Sequence, residues 1–173
     1  MTTASRTDVT GVPKREVAVV QVIAFGLTAR RAARILGLKP STVESYARKA
    51  GQRVGASGRA ATVSEFYVRK WIPLPEPMPV AASLTDGQRE LLPFVVWSKT
   101  YKQMASRLGR PLASVRSDTV QLMQALGTKS RPHVVTLSLQ YGLATTEQLR
   151  TWVSLVSEVQ GTAVAGGLPP ARE

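Results

Sequence analysis

The sequence has no cysteine and a single histidine among its 173 residues. Without thiols it can have no disulfide, no cysteine nucleophile and no zinc finger or zinc ribbon. The lone histidine, His133, excludes most histidine-rich metal sites, and we interpret it as a helix-surface residue. No apolar run approaches the ~20 residues that span a membrane, and the first ten residues lack the basic and apolar segments of a secretory signal. We therefore expect a soluble cytoplasmic protein with no metal and no cofactor.

The groups that enzymes use for acid–base or nucleophilic chemistry are also scarce. Only 11 residues are acidic, and Glu44, Asp118 and Glu147 do not show the spacing of paired catalytic carboxylates. Ser41 and Ser45 have no plausible histidine partner, and the chain has no glycine-rich phosphate loop. We do not expect an enzyme.

Basic residues, in contrast, are abundant, and the 23 Lys and Arg give a net charge of +12. Residues 1–78 carry +8, residues 79–137 carry +5 and residues 138–173 carry −1. Such a field attracts polyanions, of which nucleic acid is the commonest inside cells. Arg outnumbers Lys by 16 to 7, and its guanidinium forms paired hydrogen bonds with phosphate or guanine. The composition favours a nucleic-acid-binding protein over a merely soluble basic one.

Prolines and glycines divide the chain into segments. The four prolines from Pro73 to Pro79 cannot lie inside a helix and favour a stiff, extended spacer. On both sides of them apolar residues recur with helical periodicity, in four segments per half. We predict an all-α chain with these parts: a flexible N-terminus (1–11), a first module (12–71), a Pro-rich linker (72–83), a second module (84–143), a C-terminal amphipathic helix (144–160) and a disordered tail (161–173).

The two modules repeat each other. A shift of 72 residues aligns them without a gap, and it brings Gly37 onto Gly109 and Gly55 onto Gly127. Further identical pairs are Ala33 and Ala105, Leu36 and Leu108, Val43 and Val115, Ser45 and Ser117, Gln52 and Gln124, Arg59 and Arg131, and Val63 and Val135. We interpret this as a tandem duplication. Each copy has a short helix, a turn containing glycine and a second, polar helix, which is the plan of a helix-turn-helix.

The residues of this unit resemble a known family. In the first module they are Gly26-Leu27-Thr28, Ala32-Ala33-Arg34-Ile35-Leu36-Gly37-Leu38, Ser41-Thr42-Val43, Gly55, Arg59 and Val63. In the second they are Leu84-Thr85, Met104-Ala105-Ser106-Arg107-Leu108-Gly109, Ser114-Val115, Leu126-Gly127 and Ser130-Arg131. Both stretches are similar to the DNA-binding domain of LuxR-type (GerE-like) regulators, the first more closely. The resemblance implies a bacterial transcriptional regulator made of two tandem four-helix helix-turn-helix modules.

The sequence departs from the family pattern at the start of both recognition helices. Lys39-Pro40 and Arg110-Pro111 replace the usual Ser or Thr cap, and the acidic Glu44 follows the Thr-Val pair of the first module. In the second module Ser98 replaces the glycine that precedes the helix-turn-helix. We therefore expect one module to read DNA differently or to bind another partner.

Helical periodicity and the resemblance together indicate the DNA contacts. Val43 and Ala47 should be buried, so the opposite face of that helix should meet the major groove. The predicted base contacts are Glu44, Ser45, Arg48 and Lys49 in the first module and Arg116, Ser117 and Val120 in the second. The predicted phosphate contacts are Arg30, Arg31, Lys39 and Thr42, with Lys102, Arg110, Ser114 and Lys129. The resemblance implies base contacts at the positions of Glu44, Ser45 and Arg48.

These observations predict a nucleoid-associated regulator that reads two half-sites of double-stranded DNA, about one turn (~34 Å) apart. Two alternatives stay open: an adaptor that docks on RNA polymerase or another regulator, and a sequence-blind DNA-binding accessory in recombination or in plasmid or phage maintenance. A homodimer is also possible, through the fourth helix of each module or through the C-terminal helix.

Overall fold

The computed structural model describes residues 11–157, and the described chain contains nine α-helices and no strand. The helices are α1 (Lys14–Ala24), α2 (Ala29–Leu36), α3 (Pro40–Val54), α4 (Arg59–Val68), α5 (Asp86–Val96), α6 (Tyr101–Leu108), α7 (Leu112–Ala125), α8 (Arg131–Gln140) and α9 (Thr146–Ser157). The predicted all-α class is confirmed. Residues 1–10, the predicted helix end at 158–160 and the predicted tail at 161–173 lie outside the described residues.

Local sequence signals explain where the helices begin and end. The Thr100 hydroxyl accepts from the amide of Gln103, whose side chain accepts from the Thr100 amide, and Thr145 and Gln148 form the same pair of hydrogen bonds. Both pairs are capping boxes, a sequence signal for the start of a helix. Gly37 ends α2 in the left-handed conformation that favours glycine, with φ of 63°. The glycine stop sets the sharp turn from α2 into α3.

The helices of the two modules share one register. α5, α6 and α8 begin and end 72 residues after α1, α2 and α4, and α7 begins 72 residues after α3. Within each module the first helix packs on the third, and the second helix also packs on the third. Each module therefore contains a short helix followed, after a tight turn, by a longer one.

The modules pack directly on each other, mainly through α4 and α8. The Ser64 hydroxyl donates to the Val96 carbonyl (2.9 Å), and the Thr136 hydroxyl donates to the Ala24 carbonyl (2.7 Å). Ser64 and Thr136 are 72 residues apart, and so are Ala24 and Val96. Each module thus makes on the other the contact that the other makes on it, as two subunits do across a two-fold axis.

A buried chain of hydrogen bonds reinforces this interface. The Tyr67 hydroxyl lies 2.9 Å from the Thr136 hydroxyl, which itself donates to the Ala24 carbonyl. Burial raises the pKa of Tyr67, so its phenol stays protonated and can donate. Since buried polar groups are costly without partners, this chain fixes α4, α8 and the end of α1 in one arrangement.

The Pro-rich linker is not a separate spacer. The Met78 amide donates to the Gln140 carbonyl (2.8 Å), and the Gln140 side chain donates to the Glu76 carbonyl (3.2 Å). The linker therefore lies beside the end of α8. The relative position of the modules is set by helix packing rather than by linker stiffness.

The surfaces that were predicted for a homodimer are largely occupied within the chain. α4 and α8 cover each other, and α9 packs on α4 and α5 through Leu149 and Val156, which are buried. Leu155 stays exposed, on the outer side of α9. The homodimer through the fourth helices stays a prediction, and the apolar faces of α4 and α8 are buried against each other within the chain. The apolar side of α9, which includes Leu149 and Val156, therefore packs on the chain's own modules.

The sequence predicts that His133 is a helix-surface residue. In the structure it instead lies half-buried between the modules. Its side chain is against Gly26, where an added Cβ would come within 3.0 Å of the imidazole Nδ1. The same nitrogen is 3.1 Å from the Thr128 hydroxyl. Burial lowers the pKa of His133 from its ordinary value near 6.5.

We predict that acidification destabilises the protein through His133. The folded state binds this proton less readily than the unfolded state, so the contribution is fully present above about pH 6.5 and is lost as the pH falls through the lowered value. Denaturant unfolding between about pH 7.5 and about pH 5 should show the loss, and His133→Gln should flatten it. Equal slopes in the two proteins would contradict this assignment, because the chain has no other histidine.

Candidate nucleic-acid interface

The outer face of α3 carries the predicted base contacts of the first module. Pro40 occupies the first turn of the helix, where its missing N–H costs no hydrogen bond. Val43, Ala47 and Ala50 are buried in the core, as predicted for the first two. The opposite side, here called the α3 face, consists of Glu44, Ser45, Arg48, Lys49 and Gln52. All of these are exposed except Ser45, which is half-buried.

Glu44 on the α3 face is not free to meet a base. Its carboxylate forms an ion pair with Arg59, at the start of α4, and both side chains remain close to half exposed. Arg48 and Lys49 form no ion pair within residues 11–157, so their charges face solvent. Lys49 also lies over the Tyr46 ring, 5.9 Å from its centroid. The face thus presents two available cations beside one neutralised pair.

An ion pair between a buried glutamate and an exposed arginine joins α3 to α1. Glu16 of α1 is almost fully buried and accepts two hydrogen bonds from Arg53, at 2.9 and 3.2 Å. These bonds raise the pKa of the Arg53 guanidinium, which keeps its charge. Because this pair joins α1 to the last turn of α3, the helix is anchored from behind while its outer face stays open.

The cations predicted to bind phosphate in the first module lie on α2 and just before α3. Arg30 and Arg31 are exposed in the first turn of α2, and Lys39 is exposed just before α3. Thr42 is half-buried. The structure thus brings these cations to the two helices of one helix-turn-helix, where a phosphate backbone would pass if α3 entered the groove.

The outer face of α7 is chemically different. The α7 face consists of Leu112, Ala113, Arg116, Ser117, Val120, Gln121 and Gln124, all exposed, and these residues line an open groove of about 640 Å³. Arg116 is its one cation, and the guanidinium lies 5.9 Å from the Tyr101 ring centroid. The sequence predicts that Pro111 starts this helix. In the structure Pro111 precedes α7 and Leu112 is its first residue, so the predicted contacts did not include Leu112.

The remaining predicted contacts of the second module divide into two groups. Lys102, Ser114 and Lys129 are exposed. Arg110 is instead held by Asp118 in a half-buried ion pair, and its Nη1 atom is buried without a partner. This engagement weakens the prediction that Arg110 binds phosphate, because a phosphate would have to compete with the Asp118 carboxylate.

A basic groove of about 400 Å³ lies where the modules meet. Arg59 and Arg131, which are 72 residues apart, line it together with Lys129. The Arg131 guanidinium donates to the Lys99 carbonyl (2.7 Å) and lies 4.8 Å from the Tyr101 ring centroid. The sequence identifies Arg59 and Arg131 only as identical residues of the repeat, and neither is among the predicted DNA contacts. The groove brings two arginines and one lysine together where the modules meet.

Two negative findings concern the described residues. Between residues 11 and 157, no group of three or more His, Asp or Glu side chains is arranged to hold a metal ion. None of the helices in that range has the length and apolar character needed to cross a membrane.

Comparison with known proteins bears on the first module. Residues 13–66 match the luxR family of bacterial regulatory proteins. This LuxR-type domain begins one residue before α1 and ends within α4, so it contains α2, the turn and α3. The family comprises DNA-binding transcriptional regulators. No curated protein and no solved structure matches the chain.

Proposed function

We propose that the protein is a sequence-specific transcriptional regulator that binds double-stranded DNA with both modules. The observation that carries this proposal is the two-fold relation of the modules, one of which contains the LuxR-type domain. A two-fold protein arrangement fits two half-sites of a palindrome-like operator. In this chain the arrangement exists inside one polypeptide, so a single copy presents two recognition helices, α3 and α7.

The second module is proposed as a LuxR-type domain on different grounds. Its helices follow those of the first module at a constant distance of 72 residues. Gly109 ends α6 with φ of 60°, as Gly37 ends α2 with φ of 63°. The common register and the matching turns support a duplicated helix-turn-helix, with α7 in the role of α3.

We assign the α3 face to base reading through Arg48, because its guanidinium can pair with guanine N7 and O6. Lys49 and Ser45 lie beside it on the same helix face. Arg30, Arg31 and Lys39 would then hold the phosphates and fix the helix in the groove, without reading sequence. Glu44 acts through Arg59 instead of accepting a hydrogen bond from cytosine, because its carboxylate is paired.

On the α7 face we assign base reading to Arg116, Ser117 and Val120, with Lys102, Ser114 and Lys129 as phosphate contacts. Helix packing between α4 and α8 sets the distance between α3 and α7, so the half-site spacing should be fixed. About one turn of DNA (~34 Å) is the expected centre-to-centre separation.

Selection from a randomised duplex library at ~150 mM salt tests this function. We expect the purified protein to enrich two short motifs at one fixed spacing. Retention of DNA without any enriched motif would contradict sequence-specific reading and favour the sequence-blind accessory. No retention at all would contradict DNA binding by either module and favour the adaptor.

We predict that Glu44→Gln strengthens binding to DNA of any sequence. The substitution removes one negative charge from the α3 face and releases Arg59 from its ion pair. One added phosphate contact should steepen the slope of log K against log salt by about one unit. Fluorescence anisotropy with random-sequence duplexes across a salt series measures both effects.

Glu65→Gln is the matched control for Glu44→Gln. Glu65 also forms an ion pair with an exposed arginine, Arg69, but Glu65 lies on α4 and not on the α3 face. The control should leave the salt slope unchanged. If both variants steepen the slope equally, the effect is one of net charge, and Arg59 has no particular place at the DNA.

A further inference from the structure

The α7 face exposes large apolar side chains where the α3 face carries charge. Leu112 is 51% exposed and Val120 is 44% exposed. In the 72-residue register, Val120 stands at the position of Arg48, the proposed guanine reader of the first module. The two recognition helices therefore cannot read the same base in the same way.

The two large apolar residues of this face, Leu112 and Val120, lie in one row along α7. Leu112, Arg116, Val120 and Gln124 are spaced by four residues along α7, and this spacing places them on one side of a helix. All four line the same open groove. Single exposed apolar residues are ordinary on protein surfaces, but here two of them flank the only cation of a face that has the position of a recognition helix.

The charge of the protein favours a polyanion as the partner of this face. Lys102 and Arg107 of α6 and Lys129 after α7 are exposed, and the whole chain carries +12. A polyanion is attracted to such a surface, whereas a second copy of the chain is repelled. These charges favour DNA over an apolar protein surface.

In the major groove, the thymine 5-methyl group is the one apolar feature of the base edges, and side chains without polar atoms contact it. We propose that Val120 and Leu112 contact thymine methyl groups and that Arg116, between them, contacts a guanine or a phosphate. This inference rests on the proposed function. It makes the operator asymmetric: the first half-site is read by charged groups, and the second half-site is recognised by its thymines.

Replacing thymine with deoxyuridine tests the inference, because it removes only the methyl group and keeps base pairing. The probe is the duplex enriched in the library selection, with thymines replaced in one half at a time. In the α7 half, each contacted methyl should be worth about fourfold in Kd, the value of one buried methyl-sized group. Replacement in the α3 half should leave Kd nearly unchanged.

Val120→Ala assigns the effect to one side chain. It should weaken binding to the thymine duplex and abolish the difference between thymine and deoxyuridine at one position of the α7 half. Leu155→Ala, which shortens a similarly exposed apolar residue on α9, is the control and should keep the full difference.

Three results would overturn the inference in distinguishable ways. Tight, sequence-specific binding without any deoxyuridine effect, or an effect that Val120→Ala leaves unchanged at every position of the α7 half, contradicts thymine reading by Val120 but leaves the proposed function intact. Enrichment of only the α3 motif shows that the α7 face has another partner, such as a protein. The absence of any enriched motif contradicts the proposed function and this inference together.

Discussion

Replacing Gly58 with alanine should lower the free energy of unfolding by about 3–5 kcal/mol. Gly58 has φ of 107° and ψ of 160°, a conformation that is essentially confined to glycine. An added Cβ would lie 2.7 Å from both the Cβ and the Oγ of Ser98 in the other module. Backbone strain and a clash across the module interface therefore act together, and urea unfolding followed by circular dichroism measures their sum.

Gly55→Ala is the matched control, because Gly55 also has a positive φ, 66°, but no neighbour within 4 Å of its Cβ position. It should cost only about 1 kcal/mol. The double variant Gly58→Ala with Ser98→Gly should recover the part of the loss that comes from the clash, although it also loses the hydrogen bond from the Ala61 amide to the Ser98 hydroxyl (3.0 Å). Equal losses for Gly58→Ala and Gly55→Ala would contradict close packing of the modules here.

This prediction also bears on DNA binding. If helix packing sets the distance between α3 and α7, Gly58→Ala should weaken binding to the double site more than binding to either half-site alone. The reason is that a fixed arrangement raises the effective concentration of the second module once the first is bound. A loosened interface removes that advantage without touching a proposed DNA contact.

The helices were predictable from sequence because their signals are local. Glycine stops such as Gly37, and the Thr and Gln of the capping boxes, each act within four residues of the chain. The packing of α4 on α8 was not predictable in this way. Its visible signal is small: Ser64 and Thr136 are short polar residues at the same register position on otherwise apolar helices. A polar pair of that kind is equally common on a solvated surface.

The candidate site shows the same division. Periodicity placed Arg48 and Val120 on outer faces correctly, since exposure on a helix follows from its repeat and its buried side. The pairing of Glu44 with Arg59 and of Arg110 with Asp118 was missed. Glu44 and Arg59 lie on different helices, so their pairing depends on how α3 and α4 pack. Arg110 and Asp118 are only eight residues apart, and their pairing depends on the turn that leads into α7. Charge counts alone therefore overstate the number of cations that are available for DNA.

Arg48→Ala should weaken binding to the preferred site by about 1–3 kcal/mol and have much less effect on random duplexes. Arg48 is exposed at the middle of the α3 face and has no ion-pair partner in the described chain. A guanidinium in that position can donate two hydrogen bonds to one guanine, and no other base edge offers the same pair of acceptors. Competition binding with specific and random duplexes measures the two losses separately.

Two further variants separate base reading from charge. Arg150→Ala removes the same charge from an exposed position on α9 and should weaken specific and random DNA alike, by a small amount. Arg48→Lys keeps the charge but cannot make the paired contact, so it should lose most of the discrimination while the salt dependence stays the same. If Arg48→Ala instead lowers affinity for both kinds of DNA equally, and Arg48→Lys restores it, Arg48 binds phosphate. Sequence reading in the first module would then fall to Lys49 and Ser45.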